Sequence, residues 1–253
     1  MGSLATSLII FACLFSSIVL GLYVRGVMPK HHLDSDSKDT IKLATGLIAT
    51  LSALVLGLLV SSARDTFNQA SGELMQTAVK VVQLDRILAQ YGPEAKGIRD
   101  QLKSNYTNAA DLVLSGDQSR QMQLDTPDAA ARVEGVQTRI RGLAPKNDLQ
   151  RGLQSRALEI SEELAGSRWL LIMSNKRSVS APLLVVLVFW LSLIFTAWAL
   201  FAPRNMTVAV ALFACALSVS GATFLILEMD HPLTGAIRVS GEPVREALSH
   251  LGQ

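Results

Sequence analysis

A chain of 253 residues with a formal net charge of +2 has no electrostatic reason to hold nucleic acid, whose phosphates call for a basic face. Two cysteines exclude a disulfide scaffold and a cysteine metal centre. With 49% hydrophobic against 17% charged residues the mean hydropathy is positive, which makes the lipid bilayer the main partner.

Residues 4–24 form the first of four stretches almost free of charge, two on each side of a polar insert. Each is close to or above the roughly 20 residues that a helix needs to cross about 30 Å of hydrocarbon, and none has an interior proline. A cleaved leader is the competing explanation for the first stretch. It lacks a basic start, and Arg25 follows without a small-x-small site, so a spanning helix is expected. The loop that follows holds His31, His32, Asp34, Asp36 and Asp39. A calcium loop needs a glycine and a distal glutamate that are absent, so we read a solvated loop and expect no metal and no cofactor.

The second span, residues 41–62, carries Ala49, Ala53, Gly57 and Ser61 every fourth residue. Ile48, Leu51, Val55, Leu58 and Leu59 lie on the other face. Small residues in one stripe let helices approach closely in lipid, so they are expected to pack. The larger face is expected to meet lipid, or to form a constriction if copies of this helix surround an axis. No proline breaks the chain before Gly92, which predicts one helix from about Asp39 to Tyr91, on the order of 75 Å long. Within it Phe67, Leu74, Val81 and Leu88, with Ala70, Thr77, Leu84 and Tyr91 three places on, recur every seven residues as in a coiled-coil seam.

Gly92-Pro93 ends that helix. A second begins there and runs to Leu114, a third follows Asp125-Thr126-Pro127, and a fourth runs from Asn147 toward the third span. The insert, residues 64–179, thus reads as helices without strand signals, either a small bundle or two hairpins that lengthen the spans. The third and fourth spans are expected at 181–202 and 205–227, the last with a second small stripe, Ala214, Ser218 and Ala222. Cys13 and Cys215 sit in mid-span as apolar packing residues.

Past the fourth span, Glu228 and Asp230 oppose the helix dipole, which leaves two readings: both hydrated at the interface, or paired with Arg238 or Arg64. Pro232 and Gly235 then turn the chain, and residues 229–253 form an amphipathic tail suited to the insert or to the lipid surface. The organisation expected is an all-α integral membrane protein: a hairpin (1–63), the insert, a second hairpin (180–228) and the tail.

Four spans place both termini and the insert on one side. Arg64, Lys176, Arg177, Arg238 and Arg245 there nearly balance Arg25, Lys30, Lys38, Lys42 and Arg204 opposite. Long domains cross membranes less readily than short loops, which favours a cytoplasmic insert and termini in a bacterial inner membrane. No phosphate loop, nucleophile elbow or zinc helix is present, so no enzyme is expected. The absence of charge within the spans also argues against a proton-coupled transporter.

Ser61-Ser62-Ala63, the run Leu84-Asp85-Arg86 continuing to Tyr91-Gly92-Pro93-Glu94, and the stretch from Phe224 to Pro243, with Asp230, Pro232, Gly235 and Arg238, resemble the bacterial bestrophin-like family of four-span proteins. Remotely, the chain is similar to the bestrophins, pentameric anion channels whose second span lines the pore with a narrow neck. That resemblance implies a homo-oligomer, a pentamer if the likeness extends so far, with Leu51, Val55 and Leu58 nearest the neck. The chain departs from the bestrophin pattern in having no aromatic residue in its second span and no acidic calcium clasp. The functional expectation is an oligomeric ion channel. The rival is a non-conducting signalling or scaffold protein whose insert binds a cytoplasmic partner.

Overall fold

The computed structural model describes residues 2–28, 35–174, 181–203 and 205–253, and every regular element in them is helical. In chain order these are α1 (Ser3–Val27), α2 (Ser35–Tyr91), a 3-10 turn (Pro93–Ala95), α3 (Lys96–Leu114), α4 (Gln118–Gln121), a second 3-10 turn (Met122–Asp125), α5 (Pro127–Arg141), α6 (Asp148–Ser174), α7 (Ala181–Phe201), α8 (Met206–Met229) and α9 (Glu242–His250). Four of them are long and apolar enough to cross a membrane: Ser3–Val27, the stretch Lys38–Tyr91 of α2, Ala181–Phe201 and Met206–Met229. His31, His32, Asp34, Lys30, Lys176, Arg177 and Arg204 lie outside the described residues.

The chain separates into two compact units, Met1–Asp65 with Ser178–Asp230, and Thr66–Arg177 with His231–Gln253. In the first, α1 buries Ser7, Ile10, Leu14, Ile18 and Gly21, one residue per turn on one side. Ile10, Leu14 and Ile18 pack with Phe195 and Ala199 of α7 and with Leu212 and Ala216 of α8. Gly21 is required by this packing, since a Cβ there would stand 2.5 Å from the Thr196 carbonyl oxygen and 2.8 Å from the Ala199 Cβ. Two hydroxyls tie α1 to its neighbours: Ser220 Oγ donates to the Ser7 carbonyl at 2.7 Å and Thr196 Oγ1 to the Ser17 carbonyl at 3.2 Å. In lipid, where apolar burial drives association weakly, close backbones and such bonds carry the contact. Leu59 and Ala63 of α2 join a second cluster with Leu187 of α7 and Ile226 of α8.

The second unit has a continuous core. From α2 it takes Leu74, Ala78, Val81, Leu84, Leu88 and Tyr91, residues of the seven-residue pattern together with Ala78. Ile98, Leu102 and Tyr106 of α3, Val136 and Ile140 of α5, and Ala157 and Ile160 of α6 complete it. The tail belongs here as well, with Val244, Ala247 and Leu251 buried in the same core. Helix starts follow local chemistry: Thr126 caps α5 ahead of Pro127, and the Asn205 side chain accepts from the Val208 N–H at 2.9 Å to cap α8.

Candidate functional site

Two groups of residues stand out, one in each unit. In the first unit, α2 touches its own chain along a narrow strip: Ser52, Leu59 and Ala63 are buried, and Val55 and Leu56 pack on the second cluster. One side of the helix is bare. Leu43, Leu47, Leu51, Leu54 and Leu58 are exposed, Leu47 and Leu54 by about two thirds. These positions recur at three- or four-residue intervals, so they form one line of leucines. The line runs on past the apolar stretch to Asp65, which is exposed.

The residues singled out from the sequence distribute across this helix. Leu51 and Leu58 lie on the bare side, while Ile48 and Val55 are half-buried. Of the small stripe, Ala49 is half-buried, and Ala53, Gly57 and Ser61 are exposed, with open space where a Cβ on Gly57 would project. On α8, Ala214 and Ser218 are exposed and Ala222 is half-buried, whereas Leu212, Ala216, Ser220 and Thr223 are buried. Leu47 and Leu54, which the residue grouping by size does not single out, lie on the same bare side. Carrying the phase of Leu51 and Leu58 along the helix, rather than grouping residues by size, would have found them.

In the second unit the motif residues form a clasp. Asp85 is fully buried, yet it belongs to the helix face that enters the core. Its carboxylate receives two parallel 2.8 Å hydrogen bonds, from Arg99 Nε and Nη2, and a third from the Gly252 N–H at 3.3 Å. The fork of a guanidinium matches a carboxylate in this way, and the bond to Asp85 raises the Arg99 pKa. Arg99 Nη2 and Arg86 Nη1 also donate to the main-chain oxygen of Gln253, at 2.9 and 3.2 Å, and Lys103 Nζ donates to that of Leu251 at 2.9 Å. Asp85 therefore joins α2, α3 and the tail. The sequence signal for Arg99 was present: an acid on a core-facing position demands a cation, and α3 is the next helix.

The rest of the motif shapes the turn after α2. The Tyr91 carbonyl accepts from Gln150 Nε2 of α6 at 2.9 Å. Gly92 has φ 126°, open to glycine and strained for other residues, and Pro93 opens the 3-10 turn. Glu94 meets Lys146 Nζ at 2.6 Å, which lowers the glutamate pKa and raises that of the lysine. At the end of α8 and just beyond it, Glu228, Asp230 and Pro232 are buried. Gly235 donates to the His231 carbonyl at 2.9 Å and accepts from Arg238 Nε at 2.9 Å, and the Arg238 guanidinium lies against Gly116, where a side chain would collide with it. Among the described residues, the hydroxyls of Tyr91 and Tyr106 are buried without a partner, and burial pushes the Tyr106 phenol up to about 12.

The model of the bestrophin-like domain matches residues 10–244. Among solved structures, a tryptophan-to-alanine variant of a bacterial bestrophin homologue from Klebsiella pneumoniae aligns with a TM-score of 0.68 at 13% identity, over 100% of this chain and 99% of the other. A tyrosine-to-alanine variant of the homologue from that organism gives 0.62 at 14% identity, over 95% and 99%. The homologue phased on zinc gives 0.60 at 14%, over 94% and 98%. At such identities the likeness establishes the fold. None of the curated proteins matches the chain.

Proposed function

Because the chain belongs to the bestrophin-like domain family, we propose that it is an oligomeric multi-pass membrane protein that conducts ions, with α2 of each copy facing a shared axis. One observation carries this reading: of the four spans α2 is the least covered by its own chain, with 11% of its apolar stretch buried against 22–33% in α1, α7 and α8, and its bare side carries a line of leucines. Lipid alone is compatible with exposed leucines, but the fold is that of bacterial bestrophin homologues. In a ring, Leu47, Leu51, Leu54 and Leu58 supply an apolar constriction of the kind that gates by excluding water. Ile48 and Val55 flank that line. The small faces of α2 (Ala49, Ala53, Gly57, Ser61) and of α8 (Ala214, Ser218, Ala222) are then contact surfaces between copies. Five copies, an inner-membrane location and a cytoplasmic insert complete the proposal. The activity is passage of ions, not catalysis.

The test is purified protein in planar lipid bilayers together with the mass of the detergent complex. A ring with measurable conductance, increased by Leu54→Asn, is the expected result. A monomeric complex that stays silent sinks it. Exposed Met75 and Val79 on α2 in the second unit favour a second reading, in which the protein holds a partner and does not conduct. Under that reading Leu54→Asn leaves the bilayer sealed, and Met75→Glu abolishes the partner contact. A reporter fused at Gly116 decides the side on which the insert lies.

A further inference from the structure

We propose that Asp65 sets the charge preference of the conduction path and selects cations, an inference that rests on the reading of α2 as the axis-facing helix. Leu58, Leu54 and Leu47 precede Asp65 by 7, 11 and 18 residues. At about 100° per residue all four side chains leave the helix within about 20° of one line. Leu47, Leu54, Leu58 and Asp65 are exposed within the chain, and the Asp65 carboxylate pairs with no other described residue.

Between the start of the span and this point the line carries no charge, so Asp65 is the first fixed charge that an ion leaving the leucine stretch meets. Arg64, its neighbour, is about 100° further round the helix and points off the line. Symmetry multiplies the effect, because each copy contributes one carboxylate at the same height. A ring of carboxylates at the mouth of an apolar constriction raises the local concentration of cations and repels anions. The ring offers oxygen donors alone, the set that suits hard cations such as potassium or sodium. A solitary hydrated acid at a helix surface would do none of this, and the measurement below separates the two.

The experiment is the reversal potential of purified wild-type protein, Asp65→Asn, Asp65→Lys and Arg64→Gln in planar bilayers under a potassium chloride gradient, at low and high salt. The wild type is expected to reverse near the potassium equilibrium potential. Asp65→Asn should lower the cation-to-anion permeability ratio by about threefold to tenfold at low salt, and less at high salt, where the ring is screened. Asp65→Lys should reverse the preference, and Arg64→Gln should leave its sign intact. A conducting wild type that favours chloride, or a cation preference that neither Asp65 substitution moves, overturns the inference and leaves the channel reading standing. A wild type that never conducts overturns both.

Discussion

The two units hold themselves together by opposite means. In the first, the helices meet through shape: Gly21 lets α1 lie on α7, Ala199 and Ala216 keep the backbones close, and hydroxyl-to-carbonyl bonds from Ser220 and Thr196 link α1 to its neighbours. In the second, an apolar core surrounds a fully buried aspartate that is paired with an arginine and with main-chain groups of the tail. The difference follows from the solvent each unit is built for. Water rewards burial of apolar area and allows one well-paired ion pair within the core. Lipid gives no such reward, so close approach and scarce hydrogen bonds have to serve, and a helix side without a small-residue contact stays bare.

The sharpest way to break this comparison is Asp85→Ala. It leaves the Arg99 guanidinium without its carboxylate and should cost about 3–5 kcal/mol, measured by denaturant unfolding in detergent. Asp85→Leu combined with Arg99→Leu should recover most of that loss, because the pair together is near neutral against a well-packed apolar substitute. A single substitution that unfolds no more easily than the wild type would mean that the pair is not what joins the tail to α2.

Overpacking tests the first unit. Gly21→Leu drives a side chain into the Thr196 carbonyl and should lower stability by about 1–3 kcal/mol, visible as a reduced thermal midpoint. The same substitution at Gly57, which faces open space within the chain, should leave the fold of a single copy unaffected. Its effect on the mass of the detergent complex then reads the contact between copies separately.

A smaller effect is expected at Tyr106, whose buried hydroxyl has no partner among the described residues. Tyr106→Phe should stabilise by about 1 kcal/mol. The sign of its pH dependence is fixed by burial. The folded phenol titrates at about 12; a tyrosine in an unfolded chain titrates near 10. Between those values the folded state keeps a proton that the unfolded chain has lost, so this contribution is complete below pH ~10 and falls away as the pH rises to ~12. The thermal midpoint of Tyr106→Phe should decline less than that of the wild type over this range, and parallel curves would remove the assignment. The smallest change is expected for Ser220→Ala, about 0.6 kcal/mol by the same thermal assay, because an interhelical hydrogen bond in lipid is worth little more than that.

Much of this was legible before the structure. The four spanning helices follow from length and the absence of charge, and the unbroken passage of α2 to Tyr91 follows from the lack of any proline on the way. Gly92-Pro93 marked its end, and the core side of its second half was written in the seven-residue spacing. Two details departed from expectation at the local level. Pro93 opens a 3-10 turn before α3 begins at Lys96, and a short helix and turn occupy 118–125, where the sequence showed only a break after Ser115-Gly116-Asp117. Such pieces are too short for periodicity to register.

What the sequence determined by itself is the membrane class, the helical course of the chain and its family, because hydrocarbon thickness and backbone hydrogen bonding leave a long apolar segment few alternatives. What only the tertiary structure decided is which side of each helix is used. Asp85 meets the tail at Gly252, 167 residues further along the chain, and no periodicity within α2 announces that contact. In the same way the bare side of α2 is defined by what α7 and α8 cover, with Leu59 buried and Leu58 exposed although the two are adjacent and equally apolar. A helix in lipid carries leucine all round, so composition cannot tell its faces apart; only the neighbours that occupy some of them do.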